Sequence, residues 1–218
     1  MVTSERLAGY INSLDRGHGA LLDGIAGTAR AEHVPIIRRE TAAFLKTLVL
    51  AKQPGAILEV GTAVGYSALL MSQVMPADCH ITTIEKFRPR IPAARENFRL
   101  AGEEERITLL EGDAEAILPS LSGFFDFIFM DAAKGQYLHW LPLILKLLPP
   151  GGMLVSDNVL QDGDIIESRY AVERRNRTIH SRMREYLFTL THTAELETSI
   201  VPIGDGLAVS VRKSGAAL

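Results

Sequence analysis

From Pro54 onward the chain keeps one rhythm: a short apolar run that stops on an acid or a glycine, then a stretch with helical spacing, then another run. AILEV, HITTIE, RITLLEG, FFDFIFMD and GMLVSD are the strand-like runs, and YSALLMSQVM, RPRIPAARENFRLAG, AEAILPSL and YLHWLPLILKLL are the helix-like stretches between them. An almost unbroken apolar run marks a strand buried on both faces, and alternation with helices marks βαβ units under a parallel sheet. Beyond residue 165 the spacing predicts one long helix, roughly Arg174 to Thr191. SIVPIGDGLAVSVRK then reads as an antiparallel hairpin turning at Gly204-Asp205-Gly206. The first fifty residues read as helices, ERLAGYINSL and ETAAFLKTLVLAK most clearly. HVPII between those two is extended, because a residue before proline avoids the α region. With 47% hydrophobic residues in 218, the expectation is a single α/β domain, 1–218. Residues 1–52 are expected to form its helical N-terminal part and 53–218 its sheet-bearing core.

The strand ends hold the chemistry. ILEVGTAVGYS puts Glu59, Gly61 and Gly65 after the first strand, in an E-x-G-x-x-x-G spacing that differs from the G-x-G-x-x-G of dinucleotide folds. In an open α/β sheet, ligands bind outside the carboxyl ends of the strands. The second strand ends on Glu85, an acid able to accept hydrogen bonds from both ribose hydroxyls of an adenosine. The third ends in EGDA, with Asp113 and Ala114 placed to meet an adenine edge. Three such loops in order look like the S-adenosylmethionine site of class I methyltransferases.

The fourth strand ends on Asp131 and the fifth on Asp157-Asn158, with Lys134 one short turn after the first of these. A buried charge is costly unless it is paired or metal-bound. Each aspartate by itself suits a helix cap or a turn. Together the two carboxylates and the amide oxygen suit a hard cation such as Mg²⁺ or Mn²⁺.

DAAKGQY followed by SDNV, with the glycine loop before and PIGDGLAVS after, resembles the metal-dependent O-methyltransferases of the catechol and caffeoyl-CoA type, from about His33 to Lys213. The resemblance implies a Rossmann-like methyltransferase fold, with a seven-stranded sheet of order 3-2-1-4-5-7-6, an antiparallel last strand and N-terminal helices. It implies Asp131, Asp157 and Asn158 as metal ligands, and Lys134 beside Asp131 as the catalytic pair. It also implies Ile37, Glu59, Gly61, Tyr66, Ser67, Glu85, Asp113, Ala114 and Asp131 along S-adenosylmethionine, and a homodimer.

Two acceptors offer adjacent oxygens: a catechol-like ring, and 5-hydroxyuridine with its neighbouring 4-carbonyl. HVPI, DNVLQDG and ERRNR resemble the bacterial tRNA 5-hydroxyuridine methyltransferases, which make 5-methoxyuridine at the wobble position. Net charge is −3, so the whole chain is no polycation. Between Arg169 and Arg184, however, lie Arg169, Arg174, Arg175, Arg177, Arg182 and Arg184 against one acid, Glu173. Such a cluster would neutralise phosphates of a tRNA anticodon loop, with Arg174, Arg175 and Arg177 as RNA-binding candidates. Arg38, Arg39, Arg88 and Arg90 extend it if they share that face. Tyr137 or Trp140 could stack on an unpaired base, or could belong to the core.

Other classes fit poorly. One cysteine, Cys79, excludes a disulfide framework and fits a reducing cytoplasm. The six histidines show no zinc spacing, and there is no G-x-S-x-G elbow. The start lacks the apolar region of a signal peptide, and no apolar run approaches the roughly 18 residues of a membrane span.

Overall fold

Every residue of FIFM is buried, and its side chains divide between two cores. Phe127 and Phe129 enter one, Ile128 and Met130 the other, as the period of two in a strand requires. Ile57 against Leu58 and Val60 does the same one strand over. The sheet is therefore the middle layer of three, which is why its central strands read as unbroken apolar runs.

The computed structural model describes residues 4–215. Its strands are β1 (Ala56–Val60), β2 (His80–Glu85), β3 (Ile107–Glu111), β4 (Phe127–Met130), β5 (Met153–Ser156), β6 (Leu196–Val201) and β7 (Leu207–Arg212). They form one seven-stranded sheet in the order β3-β2-β1-β4-β5-β7-β6. The pairs β1–β2, β2–β3, β1–β4 and β4–β5 are parallel, while β7 runs antiparallel to both β5 and β6. The order reverses between β1 and β4, and that switch point opens a crevice at the carboxyl ends of the strands.

On one face lie α2 (Ala20–Ala31), α3 (Arg39–Lys52), α4 (Tyr66–Ser72) and α5 (Ile91–Ala101). On the other lie α6 (Ala114–Ile117), α7 (Tyr137–Leu147) and α8 (Arg177–His192). The N-terminal α1 (Glu5–Ser13) is capped by the Ser4 hydroxyl, which accepts from the Leu7 amide, and buries no residue. Its apolar Leu7, Tyr10 and Ile11, with Leu14 just beyond, stay exposed. Helix α5 ends at Gly102 in the left-handed conformation, the usual glycine stop.

Three local readings need correction. AEAILPSL is not one helix: Pro119 lacks an amide hydrogen, so α6 gives way to a 3₁₀ turn over Leu118–Ser120. The long C-terminal helix starts at Arg177, and Arg174–Asn176 form a separate 3₁₀ turn. The loop expected after Asp157 is partly built, since Gln161–Ile166 form a 3₁₀ segment kinked at Asp162 and Gly163. Among the described residues, no helix is long and apolar enough to cross a membrane.

Candidate active site

A cavity of about 640 Å³ sits at the carboxyl ends of β1, β2, β4 and β5. Gly61, Glu85, Asp113, Ala114, Asp131 and Asn158 all line it, as do Ile37, Tyr66 and Ser67. The sequence-predicted loops therefore meet at one place.

Gly61 has φ 106°, and its amide donates to the Ile84 carbonyl (3.0 Å). A β-carbon there would run into the carbonyl oxygen of Asp131, so only glycine lets the first loop pass under the end of β4. Glu85 is held by the backbone: Oε1 accepts from the Phe87 amide and Oε2 from the Ala63 amide, both at 2.7 Å. Each oxygen keeps a further lone pair for a ribose hydroxyl. Asp113 caps α6 through the Glu115 amide (3.0 Å), which pulls its pKa down, and pairs with Lys86 at 3.3 Å. Asp113 thus caps a helix and lines the pocket at once.

Glu59 sits elsewhere than expected. It is fully buried behind the wall, where its carboxylate accepts from the hydroxyls of Ser67 (2.6 Å) and Thr83 (2.5 Å). Burial pushes its pKa up to about 7 against the pull of those two bonds. Geometrically it orients Ser67, which does reach the pocket.

Asp131 and Asp157 follow the register pair Met130–Ser156, and the Asp157 amide donates to the Met130 carbonyl (2.9 Å). Burial raises both carboxyl pKa values. The Asp131 charge raises Asp157 further, while Lys134 draws Asp131 down. Asp157 is 2% exposed and lies below the pocket wall; Asn158, at φ 58°, turns the chain out of the strand and onto that wall. The strand has thus ended before these two successive residues, so its strict alternation of side chains does not govern them.

Tyr137 is not a stacking surface. It is fully buried, its hydroxyl donates to the Met130 carbonyl (3.0 Å) and accepts from the Ala132 amide (3.1 Å), and the Asp157 carbonyl lies 3.4 Å away. It pins the tips of β4 and β5 together. Trp140 is 3% exposed, part core and part pocket wall.

The arginine cluster is more structural than its sequence suggested. Arg177 donates to the carbonyls of Val172 (3.1 Å) and Tyr170 (3.2 Å), Arg184 to those of Ile165 and Glu167 (both 3.3 Å), and Arg182 to that of Gly135 (3.0 Å). Arg175 pairs with Glu173 at 2.7 Å and is the one member of the six ion-paired among the described residues. A carbonyl does not neutralise a guanidinium, so the segment keeps its positive field. Arg38 and Arg90 line the cavity, whereas Arg39 pairs with Asp15 (3.2 Å) and Arg88 lies off the cavity wall.

Two acids at the cavity mouth escaped the sequence reading. Asp162 pairs with Arg38 at 2.7 Å, and Asp205, 4% exposed, lies 3.3 Å from the Lys134 ammonium. The signal for the second was an aspartate between two glycines, read only as a turn.

Comparison with known proteins agrees with this geometry. Residues 23–213 match the family described as O-methyltransferase. A caffeoyl-CoA O-methyltransferase of Populus kitakamiensis is 30% identical over 192 residues, 85% of this chain and 80% of that one. A catechol O-methyltransferase of Niastella koreensis is 35% identical over 128 residues, 57% of this chain and 58% of that one. Among solved structures, an S-adenosylhomocysteine-bound methyltransferase of Podospora anserina superposes with a TM-score of 0.86 at 26% identity, covering 96% of this chain and 95% of that one. The chain belongs to the O-methyltransferase family, as an S-adenosylmethionine-dependent enzyme.

Proposed function

We propose that the enzyme methylates 5-hydroxyuridine at the wobble position of tRNA to 5-methoxyuridine, with Mg²⁺ or Mn²⁺ held by Asp131, Asp157 and Asn158. The observation that supports the RNA acceptor is the bond from Arg182 to the carbonyl of Gly135, the residue after Lys134, which ties the arginine-rich segment to the loop that carries Lys134. A polyanion bound along that segment would present its base to the pocket, and an anticodon-loop base is already unpaired.

The donor set fits a divalent ion. Asp131, Asp157 and Asp205 all lie within reach of one ammonium, Lys134, so carboxyl groups outnumber the cation in a largely buried space, and the Asn158 amide oxygen adds a further donor at the wall. Oxygen donors of this kind suit hard cations. Such an ion supplies Lewis acidity, lowering the pKa of a hydroxyl from about 10 by several units.

The chain's own groups do the rest. Glu85, Asp113 and the Gly61 turn hold the cofactor's adenosine end, and Ser67, oriented by Glu59, meets its amino-acid end. Lys134 meets the acceptor oxygen and helps its deprotonation: its ammonium stabilises the oxyanion as the hydroxyl proton passes to solvent. The acceptor oxygen then attacks the sulfonium methyl in line: the O–CH₃ bond forms, the S–CH₃ bond breaks, and the sulfonium becomes a neutral thioether. Holding oxygen and methyl in line supplies much of the acceleration. The exposed apolar stripe on α1 fits a homodimer, which light scattering of the purified protein checks.

Mass spectrometry of tRNA nucleosides from cells lacking the gene tests the acceptor. Accumulated 5-hydroxyuridine, converted to 5-methoxyuridine by the purified enzyme, supports it. The names of the Populus and Niastella relatives favour a second reading, a small vicinal-dihydroxy aromatic acceptor. An unchanged nucleoside profile with turnover of catechols would select that reading instead.

A further inference from the structure

We infer that Asp205 is a positioning residue for Lys134, holding its ammonium clear of Asp131 so that the Asp131 oxygens stay free for another ligand. The inference rests on the reading of Lys134 as the group that meets the acceptor.

Asp205 sits at the β6–β7 turn, far in sequence from the catalytic loop. Gly204 and Gly206 flank it at φ 61° and 84°, and a β-carbon on either would strike Thr41 or Leu160. The turn is thereby fixed on both sides. Its backbone also grips the segment after Asn158: Leu160 donates to the Asp205 carbonyl (2.9 Å), and Val159 to that of Gly206 (3.0 Å). The carboxylate bridges two loops. One oxygen accepts from the Asp162 amide, and the other lies 3.3 Å from Lys134 Nζ.

A hairpin turn needs no buried charge, and burying one without a partner is costly. The partner here is Lys134, a flexible four-carbon stem with a point charge at its end. Asp131 also attracts that charge. Asp157 does so too, so three carboxyl groups compete for one ammonium, and the geometry gives it to Asp205. Without Asp205, the lysine would fold onto Asp131 and occupy the donor set it should stand beside.

Asp205→Asn isolates this arm, because an amide oxygen can still accept from the Asp162 amide while the charge is lost. The test is a double-mutant cycle with Lys134→Met. It reads kcat for methyl transfer to an anticodon stem-loop bearing 5-hydroxyuridine and to 3,4-dihydroxybenzoate, together with the calorimetric Kd for S-adenosylmethionine. The expected result is a kcat loss of roughly 10–100-fold for D205N, up to the low end of one acid–base contribution of about 10²–10⁴-fold, with cofactor Kd kept within about twofold. In the K134M background, D205N should change kcat by less than about twofold. Equal losses in both backgrounds, a cofactor Kd rising in step with the kcat loss, or an undiminished kcat for D205N would overturn the inference and leave the functional reading standing. An undiminished kcat for K134M alone would instead remove the reading of Lys134, and this inference with it.

Discussion

The amide of Asp157 donates to the carbonyl of Met130, the residue just before Asp131, so the two carboxylates stand on adjoining tips of neighbouring parallel strands. That backbone bond does what no local sequence preference can: it brings residues 26 positions apart into one electrostatic unit. Burial raises the pKa of both groups, and the Asp131 charge raises that of Asp157 further.

Neutralising one member should separate stability from activity. Asp157→Asn replaces a buried carboxyl whose ionisation is costly, so it should raise Tm in metal-free buffer above about pH 8, while lowering kcat by at least about 100-fold. Mg²⁺ should raise Tm of the parent enzyme and leave the variant unmoved. EDTA should abolish turnover, and Mg²⁺ restore it. Calorimetric scans with and without Mg²⁺ decide this, and full activity in EDTA would remove the metal from the mechanism.

Glu59 gives a pH signature. Its folded pKa of about 7 lies above the ordinary value of 4.5, so the folded state binds the extra proton between those limits. Stability from this group is therefore fully present below about pH 4.5 and is lost as pH rises toward 7, by on the order of 3 kcal/mol at most. Glu59→Gln should flatten that decline. Urea midpoints measured from pH 5 to 8 check it; parallel curves for the two proteins would refute it.

Tyr137→Phe removes a hydroxyl that serves the Met130 carbonyl and the Ala132 amide beside both strand tips. Leaving those groups unpaired should cost about 1–3 kcal/mol. Activity should fall further than cofactor affinity does, because the tips hold the carboxylates. Denaturant melts and calorimetric binding provide the two readouts.

The arginines divide by role. Arg169→Ala and Arg174→Ala should weaken RNA binding and reduce its salt slope by about one for each phosphate no longer neutralised. Arg177→Ala should instead lower Tm, since its donors hold the Tyr170 and Val172 carbonyls. Filter binding across a salt series, alongside thermal melts, separates the two groups. Equal effects on RNA affinity from all three would contradict the assignment.

Gly61→Ala should abolish cofactor binding and cut Tm sharply, because the added methyl meets the Asp131 backbone rather than a movable side chain. Soluble expression with unchanged cofactor affinity would refute this.

The layered sheet was legible in the sequence because burial on both faces writes itself as unbroken apolar runs, as in FIFM and MLVS, and the strand ends announce themselves where those runs stop on Glu85, Asp131 and Asp157. The sheet order and the site set came through resemblance of motifs such as DAAKGQY and SDNV. Periodicity and turn chemistry act over a few residues, so they located these elements without arranging them. Only the tertiary structure decided that Glu59 stands behind Ser67, that Tyr137 ties strand tips instead of stacking on a base, and that Arg177, Arg182 and Arg184 hold neighbouring loops. It also set Asp205 against Lys134, 71 residues away in sequence. Those outcomes depend on which buried donors and acceptors find each other across the folded sheet, and an unpaired polar group is costly only once water has been excluded.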